Sequence, residues 1–526
     1  MKKLLVFAIL LPLSLAPAAP PQDPLAIKDG LFKPDWQSLQ SQYQTPEWFR
    51  DAKFGIWAHW GPQCEPEQGD WYARRMYMPE NAAYKYHVQR YGHPSKFGFK
   101  DVIHDWKADK FDPEKLVALY KKAGARYFVA MANHHENFDN FDSKYQPWNS
   151  VAIGPKKDLV GMWKKAAVKE GLRFGVTTHA ARTWVWMEPS QKADTEGPLK
   201  GVPYDGMLTK ADGKGTWWEG LDPQDLYAQN HPLGAKPDAA YCEKYFKRIR
   251  QLIDDYNPDL LYFDDAMLPL ARETGNEEYG LRLAAHYYNS SIARSGKNEA
   301  VLTTKWLNEN QRQAMIWDIE RGKTKAIAPI PWQTDTCIGQ WHYLRSLYDK
   351  HGYKTSAQVI AMLADIVSKN GNLLLNIPVR GDGTIDADEI KLLEDLAGWM
   401  AVNGDAIYAT RPWKICGEWA DAEEKVDNAK FGSVRDTPDK PFTAKDMRFT
   451  TKGGALYVIA LAWPEDGTLR IKSLARGADT STIKSVKMLG HDGDLAFSRD
   501  ADALNVKFPD KKPCQYAFAL KIITNP

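Results

Sequence analysis

Two carboxylates stand where a buried chain should carry none. The run Leu260-Leu261-Tyr262-Phe263 is apolar and strand-length, and it stops on Asp264 and Asp265. A strand buried on both faces reads as a continuous apolar run, so an acid pair at its C-terminal tip calls for a chemical reason. Asp264 is the candidate nucleophile. Asp265 would face the other way if the pleat continues and reads as structural. A second carboxylate for acid–base work lies in Ile316-Trp317-Asp318-Ile319-Glu320-Arg321, as Asp318 or Glu320. An ion pair with Arg321 would lower the pKa of Glu320 and suit an acid catalyst badly. His59, His134 and His135 end other apolar runs and could either ligate a metal or hydrogen-bond ligand hydroxyls, while His179 ends a fourth run and reads either as a supporting histidine or as a contact. Metal-dependent barrel hydrolases open with His-x-His on their first strand, whereas this chain has Ala58-His59-Trp60. The adjacent pair His134-His135 cannot easily aim both rings at one ion, so hydroxyl binding is the favoured reading.

These residues need elements to hold them on one face. Phe54-Gly55-Ile56-Trp57-Ala58 runs into His59, residues 127–132 into Asn133-His134-His135, and Phe174-Gly175-Val176 into Thr177-Thr178-His179. Val301-Leu302 runs into Thr303-Thr304-Lys305-Trp306, and Leu373-Leu374-Leu375 into Asn376. Strand tips carrying His, Asp, Lys and Trp describe the catalytic face of a (β/α)8 barrel. Helical stretches separate them: Asp112-Pro113 opens one closed by Gly124, residues 158–170 form a second stopped at Gly171, and Asp238 caps a third that ends at Asn257-Pro258. In the third, Tyr241, Tyr245, Phe246, Ile249, Leu252, Ile253 and Tyr256 share one face. Between His179 and Asp238 lies a loop rich in Trp (Trp184, Trp186, Trp217, Trp218), long enough to expect a function. It follows the third strand, so it is expected to overhang the barrel mouth on the leaving-group side. After about Trp413 the pattern turns to period two, with strands expected in 448–462, 469–471, 483–488, 504–508 and 516–522 around Gly453-Gly454 and Gly490. The fold class is therefore α/β: a (β/α)8 TIM-like barrel over residues 25–412, then a C-terminal antiparallel β-sandwich over 413–526.

Composition narrows the partners. Of 526 residues, 69 are basic and 67 acidic, a net charge of +2 with no basic run, which argues against nucleic acid. Tryptophan (20) and tyrosine (24) are plentiful and would suit an uncharged, polar ligand such as a sugar, since each ring offers an apolar face and a polar edge. Residues 1–18 read as a signal peptide: Lys2-Lys3, an apolar core from Leu4 to Leu15, and Ala16-Pro17-Ala18 as the cleavage site. The mature protein is expected to be exported, periplasmic or secreted, without stable membrane insertion, and compatible with an oligomer. Five cysteines leave at least one unpaired, and Cys416 and Cys514 could bridge within the C-terminal region.

From about Trp48 to its C-terminus the chain resembles the α-L-fucosidases of glycoside hydrolase family 29. The segment from Lys53 through His59-Trp60-Gly61 is similar to the family's first-strand signature, and Ala132-Asn133-His134-His135-Glu136-Asn137-Phe138 with Trp148 to its second. Residues 258–264 resemble its nucleophile strand, and Asn372 to Asn376 with Asn403-Gly404-Asp405-Ala406-Ile407-Tyr408 the end of its barrel. The resemblance implies a retaining exo-enzyme that needs no metal or other cofactor. It would release terminal α-L-fucose from fucosylated oligosaccharides or glycoconjugates through a covalent fucosyl-aspartate. It implies Asp264 as nucleophile and Glu320 as acid/base. His59, Asp70, Trp71, His134, His135, Tyr262, Lys305 and Trp341 would bind substrate, Trp341 against the fucose methyl. Tyr262 stands where the family usually has Trp, Lys305 where Arg is common and Asp70 where Glu is usual. Gln333, after Trp332, replaces a second carboxylate sometimes considered, which favours Glu320. Asp265 in place of Gly, and Thr178 and His179 where aromatic residues or Ser are common, alter details of the pocket. The alternatives are a metal-dependent barrel hydrolase and a catalytically silent sugar-binding protein.

Overall fold

In the computed structural model of the protein, residues 23–266, 268–420 and 441–525 are described. The leader expected at 1–18 lies outside them, as does the side chain of Asp265, whose orientation was anticipated above. Eight parallel strands close a barrel: β1 Phe54–Ala58, β2 Tyr127–Met131, β3 Arg173–Thr178, β4 Leu260–Ala266, β5 Val301–Lys305, β6 Ile316–Asp318, β7 Trp332–Cys337 and β8 Gly371–Asn376. Each pairs with the next, and β8 closes on β1.

Period-two alternation sorts the barrel side chains. Trp57, Tyr127, Val129, Leu260, Tyr262, Val301, Ile316 and Leu374 fill the interior, while Leu261 and Phe263 join the core formed with the surrounding helices. Space inside is tight enough to require glycine at Gly55, where a Cβ would sit 2.3 Å from the Tyr127 ring. Tyr127 spans the barrel and donates its hydroxyl hydrogen to Gln333 Oε1 at 3.1 Å.

The punctuated helices form where the sequence places them. Pro113–Lys122, Leu159–Lys169 and Ala239–Tyr256 are capped by the side chains of Asp112, Asp158 and Asp238, and the last ends at Asn257 with φ 43°. Two strands escaped the sequence pattern. β6 is three residues long, and β7, Trp332-Gln333-Thr334-Asp335-Thr336-Cys337, is largely polar. Only a short 3-10 turn, Gln311–Gln313, separates β5 from β6, and a loop alone separates β6 from β7 among the described residues. β4 runs to Ala266, beyond the expected end at Phe263, with a bulge in its pairing to β5 between Phe263 and Ala266.

The C-terminal region packs a five-stranded antiparallel sheet, ordered β13-β16-β11-β10-β9, against a three-stranded one, β12-β15-β14. Their ranges are β9 Arg411–Glu418, β10 Met447–Lys452, β11 Ala455–Ala460, β12 Thr468–Ile471, β13 Thr482–Met488, β14 Phe497–Arg499, β15 Leu504–Lys507 and β16 Phe518–Asn525. β9 starts two residues before position 413, and neither β9 nor β14 was legible in the alternation. Gly453 and Gly454, with φ 58° and 77°, make the β10–β11 turn, a conformation L side chains resist. Phe449, Val458, Leu469, Val506 and Leu520 lie between the sheets. Buried bonds tie this unit to the barrel, among them Arg448 Nε to Asp365 Oδ1 at 2.5 Å and Trp399 Nε1 to the Ala517 carbonyl at 2.8 Å. All five cysteines are free thiols, so the bridge between Cys416 and Cys514 does not form; Cys514 Sγ instead accepts from Asn403 Nδ2 at 3.3 Å. No described helix is long and apolar enough to cross a membrane.

Candidate active site

The strand tips converge on a cavity of about 510 Å³ at the C-terminal end of the barrel. Asp264 lies on its floor, held from two sides. His179 Nδ1–H donates to Asp264 Oδ2 at 2.7 Å, and its other nitrogen is hydrogen-bonded to Thr177 Oγ1 at 3.0 Å. The buried ammonium of Lys305 touches Asp264 Oδ1 and also Glu320 Oε2, the latter at 2.7 Å. Burial alone would raise the Asp264 pKa, but Lys305 and His179 outweigh it and hold the carboxyl well below its usual range. Burial likewise disfavours the Lys305 ammonium, yet Asp264, Glu320 and Asp335 keep it charged far above its ordinary value. Asp264 is thus an ionised, oriented carboxylate.

Arg321 does not make the ion pair with Glu320 that its place in the sequence allowed. Arg321 sits in a left-handed turn with φ 48°, which throws its side chain away. Its guanidinium donates to the Gly339 carbonyl at 3.0 Å and lies 4.9 Å from the Trp341 ring centre. Lys305, from the next strand round the barrel, takes its place beside Glu320.

His59, Asp70, Trp71, His134, His135 and Trp341 all line the cavity. His134 turns Nδ1 toward Glu136, 2.8 Å away, and His135 Nδ1–H donates to the His179 carbonyl at 2.7 Å. Burial first, then the crowding of neighbouring imidazoles, pushes His59, His134 and His135 well below the usual histidine pKa, so all three are neutral. Both ring nitrogens of His59 are buried without a partner among the described residues. A neutral imidazole with unspent nitrogens can donate to one hydroxyl and accept from another.

Tyr262 is not where the resemblance implied. It is fully buried beneath Asp264 and does not line the cavity. Its side chain alternates into the barrel interior, where its hydroxyl lies 3.0 Å from Asp335 Oδ2, 3.2 Å from Asp318 Oδ1 and 3.3 Å from Asp264 Oδ1. Gln333 Nε2 donates to Asp318 Oδ2 at 2.7 Å. Burial raises Asp318 to about 6, and burial together with Asp318 raises Asp335 well above a carboxylate's usual range. Asp335 is thus held protonated next to Asp318, beneath Asp264. This positioning layer was invisible in sequence because β6 and β7 carry no apolar run.

Other residues also escaped notice. His342 is buried behind the cavity wall, with Nδ1 2.8 Å from Asp70 Oδ1, and it lowers the Asp70 pKa against the effect of burial. Trp57 could have been found, since it lies two residues before His59 and so shares its face of β1. Arg75, Arg182, Arg272 and Trp306 also line the cavity. Trp217 and Trp218 do not. Trp217 Nε1 donates to Asp101 Oδ1 at 2.8 Å and its ring stacks on His104, while Trp218 is buried against Gly213. The long loop meets the site through Arg182 and through Trp186, whose ring lies 5.9 Å from Trp71 and 5.3 Å from His135.

Two groups could hold a metal by proximity: His59, Asp70, His134 and His342, and His134, His135 and His179, with ligand atoms within 4.8 Å. In the second, both nitrogens of His179 are already engaged. The first offers imidazoles and a carboxylate, a set that suits zinc. Neither includes Asp264 or Glu320.

The family model for α-L-fucosidase matches residues 22–405, and that for the α-L-fucosidase C-terminal domain matches 439–523. The chain is 28% identical over 502 residues to the tissue α-L-fucosidase of Homo sapiens, covering 93% of this chain and 91% of that one. It is 26% identical over 509 residues to the human plasma α-L-fucosidase, covering 93% and 92%. Among solved structures, the Thermotoga maritima α-fucosidase with a mechanism-based inhibitor superposes with a TM-score of 0.70 at 26% identity, over 94% of this chain and 100% of that one. The same enzyme in complex with fucose gives 0.68 over the same shares. With a matched model across most of its length and a charged site on the expected barrel face, the chain belongs to the α-L-fucosidases of glycoside hydrolase family 29.

Proposed function

We propose that the protein is an exported, retaining exo-α-L-fucosidase acting on terminal fucose of oligosaccharides or glycoconjugates. One observation carries this reading: a single buried ammonium, Lys305, contacts both Asp264 and Glu320. Two contacts of at most ~3 Å each keep the nearest carboxylate oxygens within about 6 Å. That suits the ~5–5.5 Å of retaining enzymes better than the ~6.5–9.5 Å that makes room for water in inverting ones. Asp264 attacks the anomeric carbon while Glu320 gives its proton to the departing oxygen. Glu320 then takes a proton from the water that breaks the ester, and α-L-fucose leaves. Neutral His59, His134 and His135 bind sugar hydroxyls, and Trp341 supplies the apolar wall for the C6 methyl. Rejection of a sugar that only adds a hydroxyl there is energetically weak, so α-L-galactosides are slow substrates. The leader-like residues 1–18 support export.

NMR of the first product released from an aryl α-L-fucoside tests the reading, with α-L-fucose expected before mutarotation. Asp264→Ala should abolish turnover while circular dichroism shows an intact fold, and Asp264→Asn should be severely impaired. A β first product, or near-normal activity in folded Asp264→Ala, overturns the mechanism. The cluster His59–Asp70–His134–His342 carries a second reading, a metal-dependent hydrolase, which chelation separates.

A further inference from the structure

The cavity is larger than one sugar. With about 11 heavy atoms at a little less than a water's ~30 Å³ share each, a fucose needs roughly 300 Å³, against about 510 Å³ available. The surplus lies toward the mouth, and its chemistry differs from the floor. Asp264, Glu320 and Asp335 are at the bottom with Lys305, whereas three guanidinium groups, Arg75, Arg182 and Arg272, line the same cavity. Arg75 and Arg272 are exposed and Arg182 half-buried. None of the three makes an ion pair with a described carboxylate. Asp70 feels Arg75, and the ionisation of Glu273 responds to both Arg182 and Arg272. The side bearing Arg182 and Arg272 is left with excess positive charge, although the whole chain carries only +2.

Trp306 stands on that side. It follows Lys305 directly at the tip of β5, is 48% exposed, and holds a left-handed backbone with φ 58°. Strain of this kind in a bulky residue collects at functional sites. The Arg272 guanidinium lies 5.8 Å from the Trp306 ring centre. Trp306 and Arg272 are exposed members of the cavity lining, and in an exo-enzyme the leaving group is the part that projects toward solvent, so they border the leaving group.

We propose, resting on the fucosidase reading, that Trp306, Arg272 and Arg182 form a leaving-group subsite for an acidic sugar, a unit bearing a carboxylate or a sulfate ester next to the fucose. The indole offers an apolar platform to one face of the sugar ring. The guanidiniums supply charge-assisted hydrogen bonds that a neutral sugar cannot match.

The test is kcat/KM on three matched α-L-fucosyl disaccharides, with the second sugar neutral, sulfated or a uronic acid. One or both anionic substrates should be preferred by roughly tenfold or more at low salt, the worth of a charge-assisted hydrogen bond, and added salt should erode that ratio. Preference in the sulfate arm, the uronate arm or both supports the subsite and identifies its anion. Arg272→Gln combined with Arg182→Gln should bring the ratio to about one, while Arg272→Lys keeps a preference. Trp306→Ala should raise KM on the disaccharides more than on a small alkyl fucoside. Equal kcat/KM for neutral and anionic disaccharides at low salt overturns the subsite and leaves the fucosidase reading standing. Hydrolysis of no fucoside at all overturns both.

Discussion

Replacing Asp335 by asparagine should stabilise the protein, and increasingly so as pH rises. Asp335 and Asp318 lie side by side on the barrel floor, with Lys305 nearby as the compensating charge and Tyr262 offering one hydroxyl hydrogen to three carboxylates. Burial and the partner acid raise Asp335 well above its ordinary 3.8, so the fold holds it protonated where the unfolded chain has released its proton. The folded state therefore binds more protons than the unfolded one, and stability falls as pH rises from about 4 toward the raised value. Each pH unit costs ~1.4 kcal/mol per carboxyl so held. From 3.8 to pH 6, where Asp318 also begins to ionise, the accumulated penalty is about 3 kcal/mol. Asparagine is isosteric and neutral, can donate to Asp318 and can accept from Tyr262. Asp335→Asn should match wild type in thermal midpoint near pH 4 and exceed it by several degrees at pH 6–7. Paired unfolding curves from pH 4 to 8 decide it. A midpoint difference that stays flat with pH, or a mutant that falls further behind as pH rises, refutes the reasoning that the fold holds Asp335 protonated.

Glu320→Ala should slow natural linkages ~10²–10⁴-fold yet spare aryl fucosides with good leaving groups, and added azide should yield the α-fucosyl azide. Equal losses on both substrates with no effect of azide would shift the acid/base role to another carboxylate, Asp318 first. Prolonged chelation and dialysis should leave activity intact; loss restored by one divalent ion would make His59, Asp70, His134 and His342 ligands of a catalytic metal. Removing Trp217 and Trp218 together should harm oligosaccharide and aryl fucoside cleavage equally, because both rings pack away from the cavity. A selective loss on the oligosaccharide would return that part of the loop to the leaving-group side.

What the sequence determined by itself was whatever local periodicity and punctuation encode. Apolar runs broken by Asp264, His59, His134 and Lys305 announced strand tips. Asp112, Asp158 and Asp238 announced helix starts, and Gly453-Gly454 announced a hairpin. Each depends on neighbours within a few residues, so each survives without the rest of the molecule. The tertiary structure alone decided the partners. β6 and β7 lack a local signal because their polar residues are paid for by contacts across the barrel, Gln333 with Tyr127 and Asp318, Asp335 with Tyr262. Arg321 was the neighbour of Glu320 in sequence, but a left-handed turn sent it elsewhere and brought Lys305 from fifteen residues away. Tyr262 looked like a binding residue and became a support beneath Asp264, and His342 emerged only through its bond to Asp70, 272 positions earlier. Charge pairing acts through space over a few ångströms, and in a closed barrel such distances are set by strand order and register, which no local stretch of this chain contains.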